Sequence, residues 1–164
     1  MTIVVEDGSI VAGANSYVTE AEFITYAESR GVTIATADDA DAMLIKAADY
    51  LESFAAQFKG VKVERDQSLS WPRSGAVIED WEWSNDEIPR QVLNAQLAVA
   101  LEIKAGEDPF NPSTSLPVVS ERVEGAVHVQ YANPGGTLNV AKTQPSRTII
   151  NLLLKHSGMT PVRA

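Results

Sequence analysis

The stretch SLSWPRSG, Ser68–Gly75, lies between the two longest helical patterns of the chain, and its reading decides what those helices can build. On its N-terminal side Met43, Leu44, Ala47, Leu51, Phe54 and Phe58 recur at helical spacing, which predicts a long amphipathic helix from Thr36 to about Phe58. Thr36 and Asp39 stand as a variant of a capping box at its start, and Gly60 ends it. On its C-terminal side Asp86 is placed to cap a further helix, with Pro89 tolerated in the first turn. Val92, Ala95, Val99 and Ile103 make one apolar stripe of that helix, and Leu93, Leu97, Ala100 and Leu101 make another. A helix apolar on two sides belongs at the centre, between neighbours. Residues 61–85, with Trp-Pro-Arg among them, then read as an irregular connection.

The flanks complete the pattern. NSYVTEAEFITYAESRG predicts a short helix with Thr19 as N-cap, acids in its first turn and Gly31 as a left-handed C-terminal cap. After the central helix, closed by Gly106, the three prolines of AGEDPFNPSTSLP mark a linker or extended arm. VVSERVEGAVHVQYA reads as a β-hairpin, residues 118–123 turning through Glu124 and Gly125 into a strand with Val127, Val129 and Tyr131 on one face and His128 and Gln130 on the other. NPGG is a second turn, and Ser146 is expected to cap a final short helix, RTIINLLLKH. The predicted class is mainly α: a bundle of about four helices with a β-hairpin and a flexible C-terminal segment. It divides into a helical core over 1–106, a linker and hairpin arm over 107–145, and a C-terminal helix and tail over 146–164.

Composition narrows the classes. A chain of 164 residues makes one domain with a real core. No apolar run approaches the ~20 residues that span a bilayer, so no membrane role is expected. The start, MTIVVEDGSI, lacks the basic residues of a signal peptide, so folding in the cytoplasm is the expectation. The chain has no cysteine, hence no disulfide framework and no thiolate chemistry. Its net charge of −9 is unevenly spread: all 22 acids precede residue 125, whereas the last 40 residues carry Lys142, Arg147, Lys155 and Arg163 and no acid. Such asymmetry suggests a basic tail that meets an acidic surface, on another copy or on a partner.

Candidates for chemistry are few. Asp38, Asp39 and Asp41 lack the glycine and the terminal glutamate of a calcium loop and read as acids favoured at a helix N-terminus. His128 and His156 have no ligand spacing around them, so no metal and no cofactor are expected. Nucleophile elbows, phosphate loops and dinucleotide fingerprints are all missing, and the chain is not expected to be an enzyme. Trp71, Trp81 and Trp83 with Arg65 and Arg73 could form a stacking platform for single-stranded DNA. Glu79, Asp80, Glu82, Asp86 and Glu87 surround the latter two tryptophans and would repel a phosphate backbone. Trp81 and Trp83, two apart, are instead expected to point to one side of an extended segment and close over the core.

Four stretches carry a resemblance: ANSYVT, AADYLESF, LSWPRSG and IPRQVLNAQLAVALEI, in that order. The chain resembles a family of tailed-phage proteins often described as DnaT-like single-strand-binding proteins, which looks like the head-tail connector, or adaptor, proteins of long-tailed bacteriophages. VVSERVEGAVHVQYA is similar to the hairpin of such proteins, so the likeness covers nearly the whole chain. The resemblance implies a virion protein of the neck that forms a ring, usually of twelve copies, below the portal protein, extends the DNA channel and docks the next neck or tail component. DNA would pass through the lumen without specific binding: twelve copies at −9 concentrate about a hundred negative charges around it. On this reading Trp71, Pro72, Arg73, Trp81 and Trp83 form a structural elbow, in which Trp71 fills the gap between the second and third helices and Arg73 pairs with an acid. Arg147, Ile149, Ile150, Leu153, Leu154, Lys155 and Arg163 are the candidate contacts to the portal or a neighbouring copy, unless that helix closes the protein's own core. A replication-type single-strand binder, or another neck or tail-completion protein, is the alternative.

Overall fold

The computed structural model describes residues 2–111 and 144–155, together with the backbone of 118–123 and 127–131. Helix α1, Glu20–Glu28, starts where the sequence places it: Thr19 Oγ1 accepts from Glu22 N–H at 3.2 Å and Glu22 Oε2 accepts from Thr19 N–H at 2.7 Å, a reciprocal capping box. Past its end Gly31 takes the left-handed conformation, φ 73°. Helix α2, Ala37–Glu52, is capped by Thr36 Oγ1 accepting from Asp39 N–H at 3.1 Å. It stops short of the expected Phe58. The Ser53 hydroxyl donates to Tyr50 O at 2.6 Å and Phe54 N–H to Leu51 O at 3.0 Å, so the helix tightens and gives way to a 3₁₀ turn, Ala55–Gln57. Phe54 and Phe58 remain in the core even so.

The connection expected to be irregular holds two short antiparallel pairs. β1 (Val61–Lys62) pairs with β2 (Arg73–Ser74), and β3 (Val77–Ile78) with β4 (Trp81–Glu82). Gly60 makes the first pair possible: a Cβ there would lie 2.6 Å from Ser74 O, and its φ is 71°. Helix α3, Arg90–Lys104, begins directly after Pro89, which is its N-cap rather than a first-turn residue, and Asp86 accepts from the Ser84 hydroxyl rather than capping the helix. β5 (Val118–Val123) and β6 (Val127–Tyr131) form the expected antiparallel hairpin, with a register shift between Val118 and Ser120. Helix α4, Pro145–Leu153, carries its proline at the first position. Ser146 lies inside the first turn and is not the cap; its N–H and hydroxyl both bond to Glu102, at 3.0 and 2.7 Å.

The class is mainly α: among the described residues there are four helices with small antiparallel hairpins. α3 touches α1, α2 and α4, the central position that its two apolar stripes require. Trp71, Phe23, Phe58, Leu44, Leu51, Ile78, Ile150 and Leu153 are the largest apolar side chains sealed in the core. α4 is therefore part of the body. Beyond it Leu154 forms an antiparallel bridge with Phe58, with Lys59 N–H on Leu153 O at 2.9 Å and Lys155 N–H on Gln57 O at 2.7 Å. Among the described residues no helix is long and apolar enough to cross a membrane.

Candidate functional site

The four stretches that carry the resemblance lie far apart in sequence, and the fold brings all of them to one buried polar network. Gln96, fully buried on α3, accepts from Tyr17 N–H at 2.8 Å and donates through Nε2 to Ser16 Oγ at 2.8 Å and Leu44 O at 2.9 Å. The Tyr17 hydroxyl donates to Glu52 Oε1 at 2.7 Å and accepts from Trp71 N–H at 3.2 Å. Glu52 also accepts from the backbone N–H and the hydroxyl of Ser70. Burial foremost, then the neighbouring charge of Glu52 and its hydrogen bond, pushes the Tyr17 hydroxyl well above the ordinary tyrosine pKa.

The elbow residues close this network on one side. Trp71 is buried, joined to Pro72 by a cis peptide, and its ring lies 5.9 Å from that of Phe58. Its indole Nε1–H has no hydrogen-bond partner. Arg73, expected to pair with an acid, instead spends its guanidinium on backbone carbonyls: Lys59 O at 2.8 Å, Gly60 O at 2.9 Å and Ser70 O at 3.2 Å. The planar fork suits three divergent carbonyls, which a point charge would not. Burial lowers its pKa from the usual arginine value, opposed by Tyr17 and Glu52 nearby. Gln67 adds a further staple, donating to Leu69 O and Pro72 O and accepting from Glu64 N–H.

Sequence reasoning passed over Gln96, Glu52, Tyr17 and Ser70, although Gln96 gives a signal: it stands four residues after Val92 and three before Val99, on an apolar stripe. Glu6 was likewise missed. It is 1% exposed and accepts from the N–H groups of Gly8, Ile10 and Val11, folding the N-terminal loop around one carboxylate.

The surface distributes the remaining candidates. Trp83 packs against the core as expected, but Trp81 does not: it is 76% exposed, whereas Ile78, its partner on β3, is buried. Ile150 and Leu153 are sealed inside, Ile149 and Leu154 pack beside them, and the Arg147 guanidinium lies 4.8 Å over the Phe54 ring. Those apolar residues thus close the protein's own core; Lys155 is exposed, and Arg163 lies outside the described residues. An open groove of about 500 Å³ runs between α1 and α3, lined chiefly by Val18, Ala21, Tyr26, Leu93 and Leu97. Among the described residues no cluster of three His, Cys, Asp or Glu could hold a metal ion, and Arg65 is a surface residue with its Nε 4.0 Å from Asp66 Oδ1.

No curated protein and no solved structure matches the chain. A family model does match, one described as "Putative DnaT-like ssDNA binding protein", over residues 1–163. With nearly every residue inside that match, the chain belongs to the DnaT-like ssDNA binding protein family.

Proposed function

We propose that this chain is a non-catalytic structural subunit of a tailed-phage virion: a head-tail connector that assembles as a ring below the portal, extends the DNA channel and docks the next neck component. The connector identity comes from the resemblance of the four stretches. The observation that carries the reading is where those stretches meet, in a network whose polar side chains bond to one another and to backbone, with Trp71 and Arg73 buried. A shared feature of that kind builds a scaffold and leaves no group to react with a substrate. The acidic body supports passage of DNA without adhesion, since all 22 acids of the chain precede residue 125, against nine Lys and Arg there. The test is light scattering after size exclusion, on the chain alone and mixed with the assembled portal protein of the same genome. Co-elution at about one copy per portal subunit is expected; a portal that ignores the chain would overturn the reading.

Single-stranded DNA binding is the second reading, favoured by the family's description and by one surface feature. Phe110, beyond α3, is exposed and packs edge to face on Tyr50 of α2 at 5.6 Å, Tyr50 packs likewise on the buried Phe54 at 5.2 Å, and Arg147 and Lys46 stand close by. A DNA-binding chain would hold oligothymidine with an affinity that falls steeply with salt and would lose it on Phe110→Ala. A connector would show little affinity at any salt.

A further inference from the structure

The hairpin β3–β4 presents Trp81 to solvent, the most exposed of the chain's described large apolar side chains. It does so on a two-residue turn in which Glu79 and Asp80 both take left-handed backbone, φ 50° and 68°, a conformation that glycine or asparagine adopts more easily. Gln91 Nε2 donates to Glu79 Oε2 and ties the turn to the start of α3. A costly turn that lifts an indole out of the core fits a projecting anchor, since tryptophan dominates the centres of protein interfaces. Around the indole stand Glu79, Asp80 and Glu82, all exposed. The surface that receives it must therefore be apolar on its floor and cationic at its lip.

The same chain owns such a surface. The groove between α1 and α3 has an apolar floor of Val18, Ala21, Leu93 and Leu97, and at about 500 Å³ it has room for an indole. Arg90 is exposed at its lip, and Arg30 lies nearby with its guanidinium 3.4 Å over the Tyr26 ring that lines the groove. Glu22 is also on the wall, but its carboxylate is held by Thr19. We infer that the Trp81 hairpin of one copy seats in the α1–α3 groove of a second copy, with Asp80 and Glu82 facing Arg90 and Arg30. The two surfaces are different parts of one molecule, so the contact is heterologous, the type that repeats around a ring. It rests on the reading of the chain as a self-assembling subunit and says how its copies join.

Two substitutions test it without touching the core. Trp81→Ala removes the anchor from an exposed position, and Ala21→Glu puts bulk and a repelling charge on the groove wall, at an exposed site in the first turn of α1 where an acid suits the helix dipole. Sedimentation of the full chain should show self-association of the wild type, weakened at least about tenfold in either variant. An equal mixture of the two variants should recover a two-chain species, because the hairpin of the Ala21→Glu chain meets the intact groove of the Trp81→Ala chain. Wild-type assembly that survives both substitutions, or a mixture that stays monomeric while the wild type assembles, would overturn the hairpin-in-groove contact and leave the ring reading standing. A wild type that stays monomeric both alone and with the portal would overturn the two together.

Discussion

Replacing Gln96 by leucine removes the group through which α3 holds the N-terminal segment and α2 at once. The side chains are close in size, so the change is chiefly one of hydrogen bonding. Tyr17 N–H loses its acceptor in a site sealed from water and becomes an orphan donor, which costs about 1–3 kcal/mol. Ser16 Oγ keeps its bonds to Val18, donating to its carbonyl at 2.7 Å and accepting from its N–H at 3.2 Å, and Leu44 O keeps its helical partner. Losing Gln96 from those two groups therefore costs less, together about 1 kcal/mol, part of which the more apolar leucine returns. The expected loss is about 2–3 kcal/mol, a large share of the 5–15 kcal/mol typical of a domain. Thermal unfolding followed by circular dichroism should show Tm falling by roughly 4–12 °C for a domain of this size. A fall in stability below about 0.5 kcal/mol, the range of ordinary surface changes, would refute the view that this network locks the fold.

Arg73→Lys should lower stability by about 2–3 kcal/mol in urea titration, since one ammonium cannot reach the three carbonyls that the guanidinium spans. Tyr17 is held neutral in the folded chain, so its contribution is full below the unfolded pKa near 10.0 and is lost as pH rises through the higher folded value; wild-type stability should fall more steeply above that pH than that of Tyr17→Phe. Leu153→Ala should cost about 2–5 kcal/mol by opening a cavity beneath α4, whereas Leu152→Ala, 39% exposed, should cost little; equal effects in a urea titration would contradict the packing of that helix. Gly60→Ala should destabilise the elbow, because a Cβ meets Ser74 O and the backbone is left-handed; an unchanged Tm would count against the β1–β2 pairing.

Local signals were legible where the governing contacts are local. Thr19 with Glu22 and Thr36 with Asp39 cap their helices as the spacing requires, and the double stripe of α3 places it at the centre. The antiparallel pairing of Val118–Val123 with Val127–Tyr131 follows from the alternation. What escaped depends on partners remote in sequence. Ser146 looks like an N-cap until Glu102, 44 residues earlier, takes both of its donors. Arg73 seems to call for a carboxylate because charge is read pairwise in a sequence, while the nearest usable acceptors turn out to be carbonyls released by the turn at Lys59 and Gly60. The exposure of Trp81 depends on how the β3–β4 pair lies against the body, which its spacing from Trp83 does not reveal.

The convergence of four distant stretches on one network also bears on what family membership can say about ligands. ANSYVT supplies Ser16 and Tyr17, AADYLESF supplies Glu52, LSWPRSG supplies Ser70, Trp71 and Arg73, and IPRQVLNAQLAVALEI supplies Gln96. These residues hold one another and the backbone, so they can be kept while the outward-facing residues of the same stretches vary with the partner. The groups that can meet a partner face outward: Trp81 on its hairpin, the α1–α3 groove, and Phe110 against Tyr50. Binding measurements on variants of those surfaces, with the network intact, separate a connector from a DNA binder, whereas substitutions at Trp71 or Arg73 would weaken either protein alike by loosening its fold.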